Sequence, residues 1–373
     1  VKVAFDDQIF TIQRYGGVSR YFFELASRLP AYGMSQVSVI APFHINNYLA
    51  ADTAHRLTRG RYVPYALGDA VICLRQCVPV LHLVNRFAAP LAWRGPVPDI
   101  VHETHYAARP GGKGRRRVVT VFDMTHELFS EEIPFAQRWI AAKRAAVDRA
   151  DHVICISENT RQDLVRLHGI DPARVSVVHL GYSLTAQAKA TQVEGGGKRT
   201  PSLLHVGHRR GYKNFTTLLQ AYASSPTLRE FDLVAFGGHP LLPEEQKEIR
   251  RLGITDRVRF ESGSDQQLAA HYHEAAAFIY PSKYEGFGLP PLEAMSHGCP
   301  VVCSNAGAIP EVVGDAGIYF DPNSADELRI ALERVVTTED LRADLRTRGY
   351  TRVRAFSWDR CAAETARVYR EIM

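Results

Sequence analysis

The chain has 373 residues, enough for about two domains of ordinary size, and its 46% hydrophobic content supports packed cores and excludes a disordered chain. The net charge of +5 divides into 22 Lys and Arg against 16 Asp and Glu over residues 1–180, and 23 against 24 thereafter. That excess is too small and scattered for a nucleic-acid reader, although the basic front and neutral back suggest different partners for the two halves. No run approaches the ~20 apolar residues of a membrane span. No basic-then-apolar leader precedes the opening VKVAF, so a cytoplasmic protein is expected. Cys73, Cys77, Cys155, Cys299, Cys303 and Cys361 lack a His/Cys set at zinc spacing, and buried free thiols are expected of them.

In chain order, VKVAF (1–5), VSVIAP (37–42), DIVHE (99–103), RVVTVF (117–122), HVICIS (152–157) and VSVVHL (175–180) read as strands. Helical patterns separate several of them: SRYFFELASRL (19–29), WIAAKRAAVDRA (139–150) and NTRQDLVRLHG (159–169). Continuous Val/Ile-rich runs alternating with helices predict a parallel sheet covered on both faces. The polar, triple-glycine segment 185–200 then reads as a linker. Alternation restarts with SLLHVG (202–207), FDLVAFGG (231–238), VRFES (258–262), AFIYPS (277–282), PVVCSN (300–305) and GIYFDP (317–322). The expected division is therefore 1–184, linker 185–200, 201–356, and a last helix over 357–373 with Ser357 as its N-cap. The apolar face of that helix is Trp358, Cys361, Ala362, Thr365, Val368 and Tyr369. The class is α/β, with two doubly wound domains whose ligand crevices lie at the carboxyl ends of the strands.

Three turns carry chemistry. In LLHVGHRRGYKNF (203–215), Arg209, Arg210 and Lys213 crowd a strand-to-helix turn next to a helix start expected near Asn214. Three cations beside a helix N-terminus repel its partial positive charge unless an anion sits among them. In PSKYEGFGLPPLEAMSHGCP (281–300), Glu285 and Glu293 flank Gly286, Phe287, Gly288 and Leu289, and a helix is expected from Pro290 or Pro291 with Glu293 in its first turn. Glycines there let backbone approach a ligand, and N–H groups at a helix start attract anions. In RYGGVSRYFFELA (14–26), Gly16 and Gly17 fall between the first strand and first helix. TVFDMTHELF (120–129) places Asp123, His126 and Glu127 at a strand end, where a histidine relays protons or simply fixes its loop. No Asp-x-Asp occurs, so carboxylates placed for a divalent ion on a diphosphate are missing, and metal-independent chemistry is expected.

With these motifs in place, the chain resembles the GT-B-fold glycosyltransferases of glycosyltransferase family 4. The likeness is strongest over VGHRRGYKNF and YPSKYEGFGLPPLEAMSHGCPVVCSNAGAIPEVVGDAGIYFDP. The first half resembles the bacterial surface-polysaccharide branch, with mannosyltransferases as its type. The resemblance implies two Rossmann-like domains facing an interdomain cleft, with the final helix crossing back to the first domain. It implies that Arg209 and Lys213 bind the donor diphosphate, that Glu285 faces the sugar and Glu293 the ribose. Backbone from Gly286 to Leu289 would contact sugar and phosphate, Gly16 and Gly17 would lie against the diphosphate, and the backbone of Ser264 would contact the base. Asp123 and His126 would be among the catalytic residues, but Phe122 stands where many members have His directly before the Asp, so either His126 would take over near the sugar or the loop would serve only the acceptor.

The implied reaction is retaining transfer of a hexose, with mannose from GDP-mannose as first choice and UDP- and dTDP-sugars as alternatives. The acceptor would be a saccharide or lipid-linked saccharide in polysaccharide or O-antigen synthesis, and no cofactor is implied. Competing readings are a nucleotide-sugar epimerase of the same architecture, or a silent sugar-nucleotide-binding subunit. Residues 70–94 hold no acid, with Arg75, Arg86 and Arg94 among apolar side chains, and Gly111–Arg117 adds charge. That segment reads either as a surface for anionic membrane at the cytoplasmic face or as a helix pair burying its apolar side.

Overall fold

The computed structural model describes residues 1–52, 57–63, 74–182 and 201–373, so the predicted linker and residues 70–73 lie outside it. The chain divides into two compact units, Val1–Gly181 with Ser357–Met373, and Tyr182–Phe356.

The first unit contains strands β1 (Lys2–Phe5), β2 (Gln36–His44), β3 (Thr58–Tyr62), β4 (Ile100–Glu103), β5 (Arg116–Val121), β6 (His152–Cys155) and β7 (Val175–Val177). Its helices are α1 (Gln8–Ile12), α2 (Gly17–Arg28), α3 (Asn47–Ala50), α4 (Leu74–Ala92), α5 (Thr125–Leu128), α6 (Ala136–Arg149) and α7 (Glu158–His168). Among the described residues the strands form one parallel sheet ordered β3-β2-β1-β4-β5-β6-β7. Strands β1, β4, β5 and β6 are almost wholly buried, as their unbroken apolar runs predict.

The second unit repeats the plan with β8 (Ser202–Val206), β9 (Asp232–Phe236), β10 (Val258–Glu261), β11 (Ala277–Tyr280), β12 (Val301–Ser304) and β13 (Gly317–Phe320). Its helices are α8 (Phe215–Ala223), α9 (Pro243–Arg251), α10 (Asp265–Glu274), α11 (Leu289–Ser296), α12 (Ile309–Val313), α13 (Ala325–Thr337) and α14 (Glu339–Val353). The sheet order is β10-β9-β8-β11-β12-β13, again parallel. Leu203, Phe215, Leu218, Leu233, Ile279 and Leu332 lie in its buried core.

Strand β3 has no counterpart in the sequence reading. TRGRY carries no apolar run because it is an edge strand, and a Cβ on Gly60 would fall 1.6 Å from the Ala41 carbonyl oxygen. Residues 74–92 form a single helix rather than a pair, and they leave Val80, Leu83, Val84, Phe87 and Leu91 exposed. No helix among the described residues is long and apolar enough to cross a membrane. Cys155, Cys299, Cys303 and Cys361 are free and buried, and burial raises each thiol pKa, which disfavours the reactive thiolate.

The last helix, α15 (Trp358–Glu371), packs on α2 and the turn Leu29–Tyr32, and so returns to the first unit. The Ser357 side chain caps it by accepting from the Arg360 amide at 3.1 Å. All six side chains of the predicted apolar face are buried. The Tyr369 hydroxyl meets His102 Nδ1 at 2.6 Å, and His102 Nε2 meets the Thr120 hydroxyl at 2.9 Å, so one buried imidazole ties helix to sheet. Burial drives the His102 pKa down to about 3, so the ring is neutral near pH 7. Tyr369→Phe leaves Nδ1 without its partner, and we expect a loss of about 1–3 kcal/mol in urea denaturation. Wild-type stability would mean that this contact does not fasten the helix.

Candidate functional site

In each sheet, successive strands run outward in opposite directions from one neighbouring pair: β1 and β4 in the first unit, β8 and β11 in the second. A crevice forms outside the carboxyl ends of such a pair because the loops that follow the two strands diverge.

In the second unit those loops carry most of the predicted donor residues. After β8 the chain turns at Gly207, whose φ of +109° suits glycine, and then reaches Asn214, which caps α8 at a φ of +60°. The Asn214 amide group donates to the carbonyls of Pro281 (3.0 Å) and Pro322 (2.7 Å), and the Lys283 amide donates to the Tyr212 carbonyl (2.7 Å). These bonds pin the loop after β8 against the loop after β11. Lys213 Nζ then reaches Glu285 Oε1 at 2.7 Å, with 20% and 12% of the two side chains exposed. The Glu285 backbone is clamped in turn. Its carbonyl accepts from the Ala308 amide at 3.0 Å, and a Cβ on Gly307 would come within 2.8 Å of it.

Gly288, at a φ of +128°, is the N-cap of α11. The helix begins at Leu289, one residue earlier than expected, so Glu293 falls in its second turn rather than its first. Pro290 and Pro291 have no N–H, so backbone donors of this helix start come from residues beside the proline pair. Phe287 is buried edge-to-face against Phe356, with ring centroids 5.7 Å apart, and Gly286 is also buried. The Tyr272 hydroxyl donates to Glu293 Oε2 at 3.4 Å.

Arg209 stands differently from the expectation. Its guanidinium is buried, and all three nitrogens donate to protein: Nε to Glu245 Oε1 (3.0 Å), Nη1 to the Gly237 carbonyl (3.1 Å), and Nη2 to the carbonyls of His239 and Pro240. Glu245 also accepts from the Leu242 amide at 2.8 Å and so caps α9. Arg209 therefore fastens the loop after β9 to the loop after β8. The acid that claims it lies 36 residues away, with no motif to announce it. Arg210 is exposed, 4.0 Å from Glu244. Ser264 is the N-cap of α10, and its backbone N–H is taken by Gln267 Oε1 at 2.8 Å, so the base contact expected of that amide competes with an existing bond.

In the first unit, Gly16 caps α2 and Gly17 begins it. A Cβ on Gly16 would strike the Gln13 carboxamide, whose oxygen accepts from the Ser19 amide at 3.2 Å, whereas Gly17 has open space around its Cβ position. After β5, Asp123 Oδ1 accepts from the Thr125 amide at 2.9 Å and starts α5. Buried Lys143 donates to the Asp123 carbonyl and to Glu127 Oε2, each at 2.8 Å, and His168 meets Glu127 Oε1 at 3.2 Å. Burial alone would raise the Glu127 pKa, but His168 and Lys143 hold it down to about 2. Glu127 thus serves the framework. His126 is packed near Trp139, with a pKa lowered by burial and by Lys143. Among the described residues no group of three or more His, Cys, Asp and Glu could hold a metal ion.

The description Glycosyltransferase Family 4 matches residues 15–186, and Glycosyl transferases group 1 matches residues 187–352. The chain is 32% identical over 248 residues to the O-antigen chain mannosyltransferase B of Escherichia coli, covering 60% of this chain and 62% of that protein. It is 31% identical over 314 residues to the D-inositol 3-phosphate glycosyltransferase of Streptomyces bingchenggensis, covering 76% and 69%. It thus spans less than two thirds of the mannosyltransferase. Among solved structures, the sucrose-phosphate synthase of Thermosynechococcus elongatus superposes with a TM-score of 0.72 at 21% identity, over 99% of this chain and 98% of that one. At that identity the match concerns the fold alone, which is GT-B.

Because Arg209 and Glu245 are 2% and 10% exposed, Glu245→Ala should strand a buried charge and destabilise by roughly 3–5 kcal/mol in urea denaturation. Glu244→Ala, at a position 68% exposed, should change stability by less than about 0.5 kcal/mol. Equal effects of the two substitutions would contradict the fastening role.

Proposed function

The chain belongs to glycosyltransferase family 4, and we propose that it is a retaining, metal-independent hexosyltransferase. We take its donor to be a nucleotide sugar, with GDP-mannose as first choice, and its acceptor a saccharide or lipid-linked saccharide of a polysaccharide or O-antigen. The observation that carries this reading is the Lys213–Glu285 pair at the β8/β11 crevice. It supplies a cation for a diphosphate and, beside it, a carboxylate for sugar hydroxyls. The donor sugar class is supported by the mannosyltransferase likeness of the relative at 32% identity.

Breaking the bond between the anomeric carbon and phosphate leaves negative charge on the diphosphate and positive charge on the ring. In this reading Lys213 answers the first of these, and its release from Glu285 leaves that carboxylate to accept from the sugar. Removing such a charge-stabilising group costs roughly 2.7–4 kcal/mol of barrier. Lys213→Ala should therefore lower kcat at least tenfold, and because it also leaves Glu285 without its cation it should lower the unfolding temperature, so turnover is compared at a temperature where both proteins are fully folded. Near-normal turnover would remove the cation from the mechanism. For an α-linked donor, the one-bond C1–H1 coupling of the product should report an α linkage, and a β linkage would overturn retention.

The exposed row Val80, Leu83, Val84, Phe87 and Leu91 lies on α4 beside the cations Arg86 and Arg94. Its pairing of apolar and basic side chains supports peripheral contact with anionic lipid at the cytoplasmic face of the membrane. Liposomes with anionic lipid should float the wild type at low salt and leave Phe87→Glu/Leu91→Glu behind. Flotation equal for both would place the contact elsewhere.

A further inference from the structure

The loop after β5 is held from three directions by residues distant in sequence. The Phe122 amide donates to the Tyr106 hydroxyl at 3.1 Å, so the loop after β4 secures its first residue. Lys143, from the middle of α6, donates to the Asp123 carbonyl and to Glu127 Oε2, each at 2.8 Å. From the end of α7, His168 Nε2 meets Glu127 Oε1 at 3.2 Å. Within the loop, Asp123 Oδ1 accepts from the Thr125 amide at 2.9 Å and sets the turn that starts α5. Asp123 and Glu127 are thus fixed on either side of His126.

An ammonium in this place is costly. The Lys143 side chain is 1% exposed and that of Glu127 6%. Taking such charges out of water costs several kcal/mol, and an apolar pair of equal volume often serves stability as well. What an apolar pair lacks is the bond from α6 to the Asp123 carbonyl, and a positive charge near His126. The same ammonium lies over the Tyr106 ring, 5.5 Å from its centroid, and so also packs on the residue that holds Phe122. Lys143 and Glu127 direct their hydrogen bonds away from the His126 ring, which stays half-buried beside Trp139 with ring centroids 6.0 Å apart.

Four charged or titratable groups act on that ring. Asp123 and Glu127 favour the imidazolium, Lys143 opposes it, and His105, from the loop after β4, is close enough for the two rings to oppose each other's protonation. Burial and Lys143 prevail, so the His126 pKa is lowered and the ring is neutral near pH 7. A neutral imidazole offers one N–H and one lone pair, and so can donate to one hydroxyl and accept from another, whereas an imidazolium only donates.

We propose that Lys143 is a positioning residue of the transfer reaction: through the Asp123 carbonyl and the Glu127 carboxylate it fixes the turn that presents Asp123 and His126 to the sugar. The inference rests on the glycosyltransferase reading, to which it adds a residue that acts through Asp123 and His126 rather than by contact. Losing the Lys143 charge withdraws the group that disfavours the imidazolium, so the His126 pKa rises and its neutral form is lost from the acid side.

The His126 Cε1–H resonance of the full chain, assigned by its loss in His126→Gln, follows this directly. In the wild type it should titrate below the ordinary histidine value of about 6.5. Lys143→Met should raise that midpoint by roughly half a unit or more, and Lys143→Met/Glu127→Gln, which removes both charges, should bring it back toward wild type. Turnover is read as GDP release from GDP-mannose, at a temperature where each protein is fully folded. Lys143→Met should lower kcat about tenfold or more while the KM for GDP-mannose stays within about twofold, and the acid limb of its pH profile should move up with the ring. The double variant should stay slow, because the bond to the Asp123 carbonyl is still missing. Wild-type turnover in the double variant would mean that Lys143 only neutralises Glu127, and an unchanged kcat in Lys143→Met would likewise overturn the proposal. So would a wild-type His126 midpoint at or above the ordinary value, a measurement that stands even if neither variant folds. A wild type that releases no GDP sinks the donor reading, while the titration, which needs no donor, still decides whether Lys143 acts on His126.

Discussion

A single ion pair organises the second unit's crevice. Lys213 and Glu285 meet at 2.7 Å with most of each side chain withheld from water. An uncompensated charge so placed costs several kcal/mol, so each residue is tolerable only because the other answers it. The pair therefore holds a cation at the mouth of β8 and β11. The neighbouring contacts keep the two loops close enough for the pair to form. Asn214 bridges to Pro281 and Pro322, the Lys283 amide reaches the Tyr212 carbonyl, and the turn at Gly307 clamps the Glu285 backbone.

What a basic residue does here is decided by its acids rather than by its type. Arg209 sits four positions before Lys213 in the same turn, yet Glu245 and three carbonyls consume its nitrogens and make it a fastener. Arg117 and Arg149 do the same in the first unit, converging on Glu103, which has no exposed side-chain surface. Lys143 is likewise spent on Glu127 and the Asp123 carbonyl. Arg86, Arg109 and Lys113, by contrast, have no such acid among the described residues.

This distinction explains which parts could be read from the residues alone. Strands β1, β4 to β6, β8 to β9 and β11 to β12 are largely buried on both faces, so they announce themselves as apolar runs. The amphipathic face of α15 is equally plain at helical spacing, and each residue of it is buried. Edge strand β3 is silent because it buries little and is defined by Gly60 passing the Ala41 carbonyl. In the site, the local pieces were legible: the glycine turns, Lys213, Glu285 and the start of α11. Long-range partners were not, since Glu245 lies 36 residues from Arg209. Nor was the occupation of the Ser264 amide, although Gln267 at the third helical position carries the capping-box signature.

The two crevices obey one topological rule but present different electrostatics. At β8/β11 the cation of Lys213 is already paired with Glu285, to which the Tyr280 side chain also hydrogen-bonds. At β1/β4, Arg86, Arg109 and Lys113 line a cavity with one lining acid, Asp7, which is already engaged by Asn85. The same strand order thus presents a paired cation in one unit and cations without an acid in the other, because the acids that decide this come from loops and helices rather than from the sheet.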